Sequence, residues 1–173
     1  MSTVGHLFVG AAAGRYALPP RSGARGVAFT LLLIAIAVAP DLDYAVLPAL
    51  GMPVSLTLGH RGATHSLVVA LAVVLIVTVL ARVVHLPPGS VALGALLAIG
   101  SHALLDTLSP GPGVAWLWPF SSVRLPTFPI LPIAPLGHLL SPFGLVRLGA
   151  EVLVFSPFLA YAILARPNES RPT

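Results

Sequence analysis

The chain has 173 residues, 57% of them hydrophobic and 8% charged, with a net charge of +4 and a mean hydropathy of +0.98. Soluble domains carry about 25% charged residues, so a soluble globular domain is excluded, and the lack of cysteine excludes disulfides and thiolate metal sites. The positive charge is all arginine, scattered at the flanks of apolar runs, which points to anchoring on anionic lipid and away from nucleic acid.

The first segment, VGHLFVGAAAGRYAL, lacks a basic leader and carries His6 within it; it reads as a short helix packed against a bundle, not a signal peptide. Four apolar runs follow, Val27 to Ala39, Leu67 to Ala81, Val91 to Leu105 and Val152 to Ala165. With their small flanking residues they approach the roughly 20 residues needed to cross a bilayer. The expected fold is all-α, a multi-pass transmembrane bundle of about four to five helices. It forms one membrane-embedded domain over residues 1–166, with residues 167–173 as a disordered tail. Between Ser109 and Gly149 the texture changes, with eight prolines from Pro110 to Pro142 and Trp116, Trp118, Phe120 and Phe128 among them. Dense proline forbids long helix and tryptophan favours the membrane–water boundary, so residues 109–149 read as an interfacial loop over one end of the bundle.

Arginines set the orientation. Arg15, Arg21, Arg25, Arg82, Arg166 and Arg171 fall on one side of the alternating helices, and Arg61, Arg124 and Arg147 on the other. The positive-inside rule makes the richer side cytoplasmic.

On that layout the remaining ionisable groups gather. His6 opens the first helix at its outer end. Asp41 and Asp43 follow Pro40, which ends a helix; in an extended stretch, alternate side chains share one side, so both carboxylates would face one centre. His60 and His65, in GHRGATHS, precede the third apolar run, with Thr64 as a candidate helix cap. His102 and Asp106 lie at i and i+4 on one helical face. Each alone has an ordinary explanation, as an interfacial histidine, a cap or a neutralising pair; together they place seven candidate ligands at one end of one bundle. Imidazole and carboxylate without sulfur suit Zn, Mn, Fe or Ni. Seven donors exceed the three or four that one zinc uses, which suggests two ions. Arg61 beside the cluster is either a phosphate-binding group or an interfacial arginine that snorkels. His85, at the opposite end, reads as structural; His138 and Glu151, on the outer side, are weaker candidates for ligand or base.

These motifs carry a resemblance. Gly5-His6, Pro40-Asp41-Leu42-Asp43, His60-Arg61-Gly62-Ala63-Thr64-His65-Ser66, Ser101-His102 with Asp106, and Trp118-Pro119 occur in this order over roughly residues 4 to 120. The chain thereby resembles the inner-membrane metal-dependent hydrolases typified by the YdjM and YbcI proteins, sometimes labelled LexA-binding, and no element of their pattern is missing. The resemblance implies an inner-membrane, metal-dependent hydrolase.

Following that resemblance, the expected function is hydrolysis of a phosphoester or related bond in a lipid-linked or phosphorylated substrate at the outer interface. A divalent metal would be held by His6, Asp41, Asp43, His60, His65, His102 and Asp106. Arg61 would neutralise developing charge, and an aspartate, Asp43 or Asp106, would share in the chemistry. Membrane lipids are the expected partners. Two other readings use the same cluster: a metal or proton transporter, against which stand ligands at helix ends and no internal repeat, and a structural metal site.

Overall fold

The computed structural model describes residues 3–17, 23–52, 59–131 and 140–165. Among the described residues six α-helices carry the fold: α1 Thr3–Ala17, α2 Gly23–Val38, α3 Asp43–Ala49, α4 Leu67–Val83, α5 Pro88–Thr107 and α6 Pro142–Leu164. Short 3₁₀ turns, Ala39–Leu42 and Ala63–His65, precede α3 and α4. The protein is a bundle of membrane helices. Among the described residues three continuous stretches have the length and apolarity to cross a bilayer, Gly23–Ala49, Pro88–Thr107 and Pro142–Leu164. At 17 residues, α4 rises about 25 Å and sits at the lower limit for a crossing. The four to five crossings expected thus resolve into three by length, α4 at the limit, and α1, which is shorter still.

The first helix is not an accessory. It packs against α2, α5 and α6, and from residue 4 to 17 only Leu7 is exposed. Small residues explain why hydropathy hides this role. A Cβ on Gly10 would lie 2.9 Å from the Ile34 backbone and one on Gly14 2.9 Å from the Thr30 backbone, while on α5 a Cβ at Gly94 would come within 2.5 Å of the Ala17 Cβ. Where lipid removes the hydrophobic drive between helices, close backbone approach supplies van der Waals packing instead. Phe29, Leu33, Ile36 and Ala37 of α2 and Val91, Ala95, Ala98 and Ile99 of α5 complete the core. The opposite faces, such as Leu71, Leu75 and Ile76 of α4, are exposed and apolar, as lipid contact requires.

Two boundaries differ from expectation. Pro40 does not end the helical path: it falls in the first turn of the 3₁₀ segment, where a missing N–H costs nothing, and the chain winds on into α3. The last helix begins at Pro142, so residues 142–149 are helix and not loop. Ser141 accepts a hydrogen bond from the Gly144 amide at 3.0 Å, and serine followed by proline is a start signal. The described part of the loop, residues 109–131, is tied down. Val114 and Leu125 exchange both backbone hydrogen bonds at 3.0 and 3.1 Å, and the Leu67 amide donates to the Trp116 carbonyl at 2.9 Å. Phe120, Val123, Phe128 and Ile130 point outward, as suits a segment resting in the interface. His85 is exposed in the turn after α4 with φ +57°, where the Leu86 amide reaches back to the Ala81 carbonyl at 2.8 Å; its role is that of a helix-ending residue. His138 and the 167–173 tail lie outside the described residues.

Candidate metal centre

The N-terminus of α1, the end of α2 with its 3₁₀ turn, the His60–Ser66 segment and the end of α5 converge at one end of the bundle. All seven sequence candidates are buried there, from 0% exposure at His6, His102 and Asp106 to 8% at His60.

The helical path through Pro40 decides how Asp41 and Asp43 face. On a helix, residues two apart point in well-separated directions, so the two carboxylates take opposite sides of His65, Asp41 towards its Nε2 at 3.7 Å and Asp43 towards its Nδ1 at 3.5 Å. Asp41 turns inward, with Oδ1 3.4 Å from His102 Nε2 and 3.7 Å from His65 Nε2. Asp43 turns towards His60, whose Nδ1 lies 2.8 Å from its Oδ1. Two donor sets result: Asp41, His65, His102 and Asp106, and Asp43, His60 and His65.

The first set has a specific chemical signature. His102 Nδ1 faces the Ala37 carbonyl at 2.7 Å; a carbonyl only accepts, so Nδ1 carries the proton and Nε2 presents its lone pair. Thr64 donates its hydroxyl to Asp43 Oδ2 at 2.6 Å, and the same oxygen sits 2.9 Å from His65 Nδ1. Nδ1 of His65 is therefore the donor there too, and its Nε2 is the free lone pair. These two Nε2 atoms are 3.0 Å apart. Two lone pairs at that separation repel unless a proton or a metal cation lies between them. Asp106 Oδ2 adds a third edge at 3.2 Å to His65 Nε2. Tetrahedral ligands at 2.0–2.1 Å from zinc are about 3.3 Å apart, so the donors are spaced as such a set. Buried orphans say the same. Among the described residues, both ring nitrogens of His6 and both carboxylate oxygens of Asp41 have no hydrogen-bond partner, a costly condition for buried polar atoms. His6 stacks on His102 with centroids 3.8 Å apart and brings Nε2 to 3.9 Å from Asp41 Oδ2 and from Asp106 Oδ1, flanking the set as a fifth donor.

Arg61 does not snorkel. It is 1% exposed, and its Nε and Nη2 meet the Asp106 oxygens at 3.1 and 3.2 Å, a side-on pairing that fixes the carboxylate plane. Nη1 extends to the Ser109 carbonyl at 3.5 Å. The backbone at Arg61 is left-handed, φ +63°, a conformation that costs of order 1 kcal/mol or more in a non-glycine residue. The loop holds it there: the Ala115 amide donates to the Arg61 carbonyl at 3.0 Å, and Arg124 donates to the His60 carbonyl at 2.9 Å. At Gly111 the guanidinium passes so close that a Cβ would fall 2.0 Å from Nη1.

Thr64 is not the cap of α4. That role belongs to Ser66, whose Oγ accepts from the Val69 amide at 3.2 Å, leaving Thr64 free to link Asp43 to His65. Glu151 is neither exposed nor among the donors: buried in α6 at 2% exposure, it accepts from the Gly5 amide at 3.3 Å and anchors the turn that carries His6. Sequence spacing offered no signal for either contact, because each joins distant segments.

The surroundings of His65 set the pH dependence of the centre. Burial pushes its imidazole down, but the Asp106 and Asp41 carboxylates against it more than offset that and hold it above the ordinary histidine value of 6.5. Without metal, this contribution to stability is fully present below pH 6.5 and is lost as pH rises through the raised value. Metal needs the neutral ring, so its affinity runs the opposite way. Below that value affinity falls by about tenfold per pH unit for each proton displaced. Metal titrations in detergent between pH 5.5 and 8.5 check this; a flat profile contradicts ligation by His65.

Comparison with known proteins agrees with the motif order. A family model described as YdjM inner membrane protein matches residues 1–167, which carries the likeness beyond the motifs and through α6. The inner membrane protein YbcI of Escherichia coli (strain K12) is 33% identical over 144 residues, covering 80% of this chain and 78% of that protein. No solved structure matches. With a helical bundle and an ordered set of histidine and aspartate motifs closing on one buried centre, the chain belongs to the YdjM inner membrane protein family.

Proposed function

We propose that the protein is a metal-dependent hydrolase of the inner membrane, acting on a phosphoester or related bond of a lipid-linked substrate. One observation carries the reading: two histidines bring their Nε2 atoms to 3.0 Å between two carboxylates, one of which, Asp41, has no hydrogen-bond partner on either oxygen. A purely structural polar cluster would satisfy those two oxygens.

Asp41, His65, His102 and Asp106 would hold the first ion, zinc by donor type and spacing. Asp43 and His60 would hold a second more weakly, because His65 is common to both sets and a neutral imidazole has one lone pair to give. A bound divalent ion supplies Lewis acidity and lowers the pKa of water. The chain's own residues do the rest. Arg61 keeps the Asp106 carboxylate oriented. Thr64 passes the hold of Asp43 to His65. Asp43 and His60 lie beside Tyr44, which is 51% exposed, and would accept a proton from the attacking water. The loop over residues 109–131 limits water above the centre. The positive-inside rule puts the centre on the extracytoplasmic side. Transport is the less favoured reading, since the donors sit at one end of the bundle and not at a midplane break.

The test uses protein purified in detergent. Metal analysis is expected to show one tightly held ion per chain and a second only under excess metal. Hydrolysis of bis-p-nitrophenyl phosphate is expected to stop on chelation and return with zinc. Metal-loaded protein that turns over neither this diester nor a phospholipid, yet moves zinc into proteoliposomes, would replace the hydrolase reading with transport.

A further inference from the structure

Away from the metal centre, α5 and α6 both pack on α1 and leave a groove between them with α1 as its floor. Its volume is about 520 Å³, with Val9, Ala12 and Tyr16 of α1, Leu97 and Leu105 of α5 and Tyr161 of α6 among the lining. Small-ligand sites span about 300–1,000 Å³. From Leu97 to Leu105 the groove follows the helix axis for about 12 Å. Its outer end is defined on both walls. Leu105 adjoins Asp106, Val9 lies one turn from His6, and the Gly5–Glu151 contact closes α1 on α6 above it.

We propose that this groove binds one hydrocarbon chain of a membrane lipid, with the polar end of that lipid level with the metal centre. The alternatives fit less well. A docking helix needs an apolar stripe near the full bilayer thickness, about 30 Å, and the groove offers less than half of that. Water needs two or more polar partners, and the hydroxyl of Ser101 in the wall is already bonded to the Ala98 carbonyl at 3.0 Å. An extended chain needs only an apolar trough along the membrane normal, open to the bilayer that supplies it. The inference goes beyond the hydrolase reading and stands without it, because chain binding requires neither metal nor turnover.

The experiment reconstitutes the full chain in nanodiscs containing phosphatidylglycerol with a diazirine on one palmitoyl chain, and maps the photo-adducts by mass spectrometry. Tyr16 and Tyr161 are the expected acceptors at the inner end. Leu97 is 44% exposed, so Leu97→Trp fills the groove from its rim without disturbing the core; Ala12→Leu fills it from the floor. Both variants are expected to keep the metal content of the parent and to lose several-fold of the labelling at the two tyrosines. Metal retention with undiminished labelling in either variant overturns the proposal. So does a parent labelled no more on these tyrosines than on the exposed leucines of α4. A parent labelled as expected on the two tyrosines that hydrolyses no substrate would count against the catalytic reading alone.

Discussion

Asp106→Ala is expected to empty the metal centre and to lower stability by about 3–5 kcal/mol, the cost of leaving a buried charge without its partner. Both effects come from one carboxylate. Its Oδ2 lies 3.2 Å from His65 Nε2, while both oxygens face the Arg61 guanidinium at 3.1 and 3.2 Å. Removing it deletes a ligand and strands an arginine that is 1% exposed and cannot deprotonate. The double change Asp106→Leu with Arg61→Met separates the two effects. Replacing a buried ion pair by apolar groups of similar size is often close to neutral, so stability is expected to recover while metal does not. Thermal unfolding in detergent and elemental analysis read the two outcomes independently. If Asp106→Ala melts with the parent, the ion pair is not a structural element; if it keeps a full complement of metal, Asp106 is not a ligand.

How far the sequence disclosed this centre depends on the kind of signal. Helix direction alternates, so the polar ends of four segments could be assigned to one side from hydropathy and arginine placement alone, and His6, Asp41, His65, His102 and Asp106 do meet there. What hydropathy cannot register is close packing by small residues. Gly10 and Gly14 lower the apolarity of α1 while letting it reach the Ile34 and Thr30 backbones, so the innermost helix looks like the weakest. Proline misled in the same way at both boundaries. Pro40 and Pro142 lie in first turns, where their lack of an N–H is harmless, and only the cap at Ser141 was there to be read.

Contacts between distant segments were beyond reach of spacing. The Ala37 carbonyl that fixes the His102 tautomer, the Asp106 carboxylate that draws Arg61 inward and the Gly5 amide that occupies Glu151 each join residues 45 or more positions apart. Those contacts convert a list of possible ligands into lone pairs with directions. The expectation that Asp41 and Asp43 face one centre illustrates the difference. It assumed a strand-like stretch; the helical path sends one carboxylate to each of two donor sets.

His65 is where those sets meet, and its removal is expected to weaken the hold on both ions. Its Nε2 faces His102, Asp41 and Asp106 at 3.0, 3.7 and 3.2 Å, and its Nδ1 reaches Thr64 at 2.9 Å. Structural zinc is held by about 10–16 kcal/mol in total, so losing one of four ligands costs about 3 kcal/mol, or roughly a hundredfold in affinity. His65→Ala also leaves the Asp41 and Asp106 carboxylates facing a gap where a cationic or metal-bound ring had separated them, which adds to that loss. Graded substitutions test the assignment. Asp43→Asn keeps every atom of the inner set but weakens the acceptor behind Thr64; outer-shell changes of this kind cost 10–100-fold in affinity. His60→Ala should leave the tight ion in place and remove only the weaker one. Competition with a chromophoric chelator ranks the three proteins, and the expected order of affinity for the first ion is His60→Ala, then Asp43→Asn, then His65→Ala. An order in which His60→Ala falls last would move the primary site to the Asp43 side of the cluster, where the second ion is now placed.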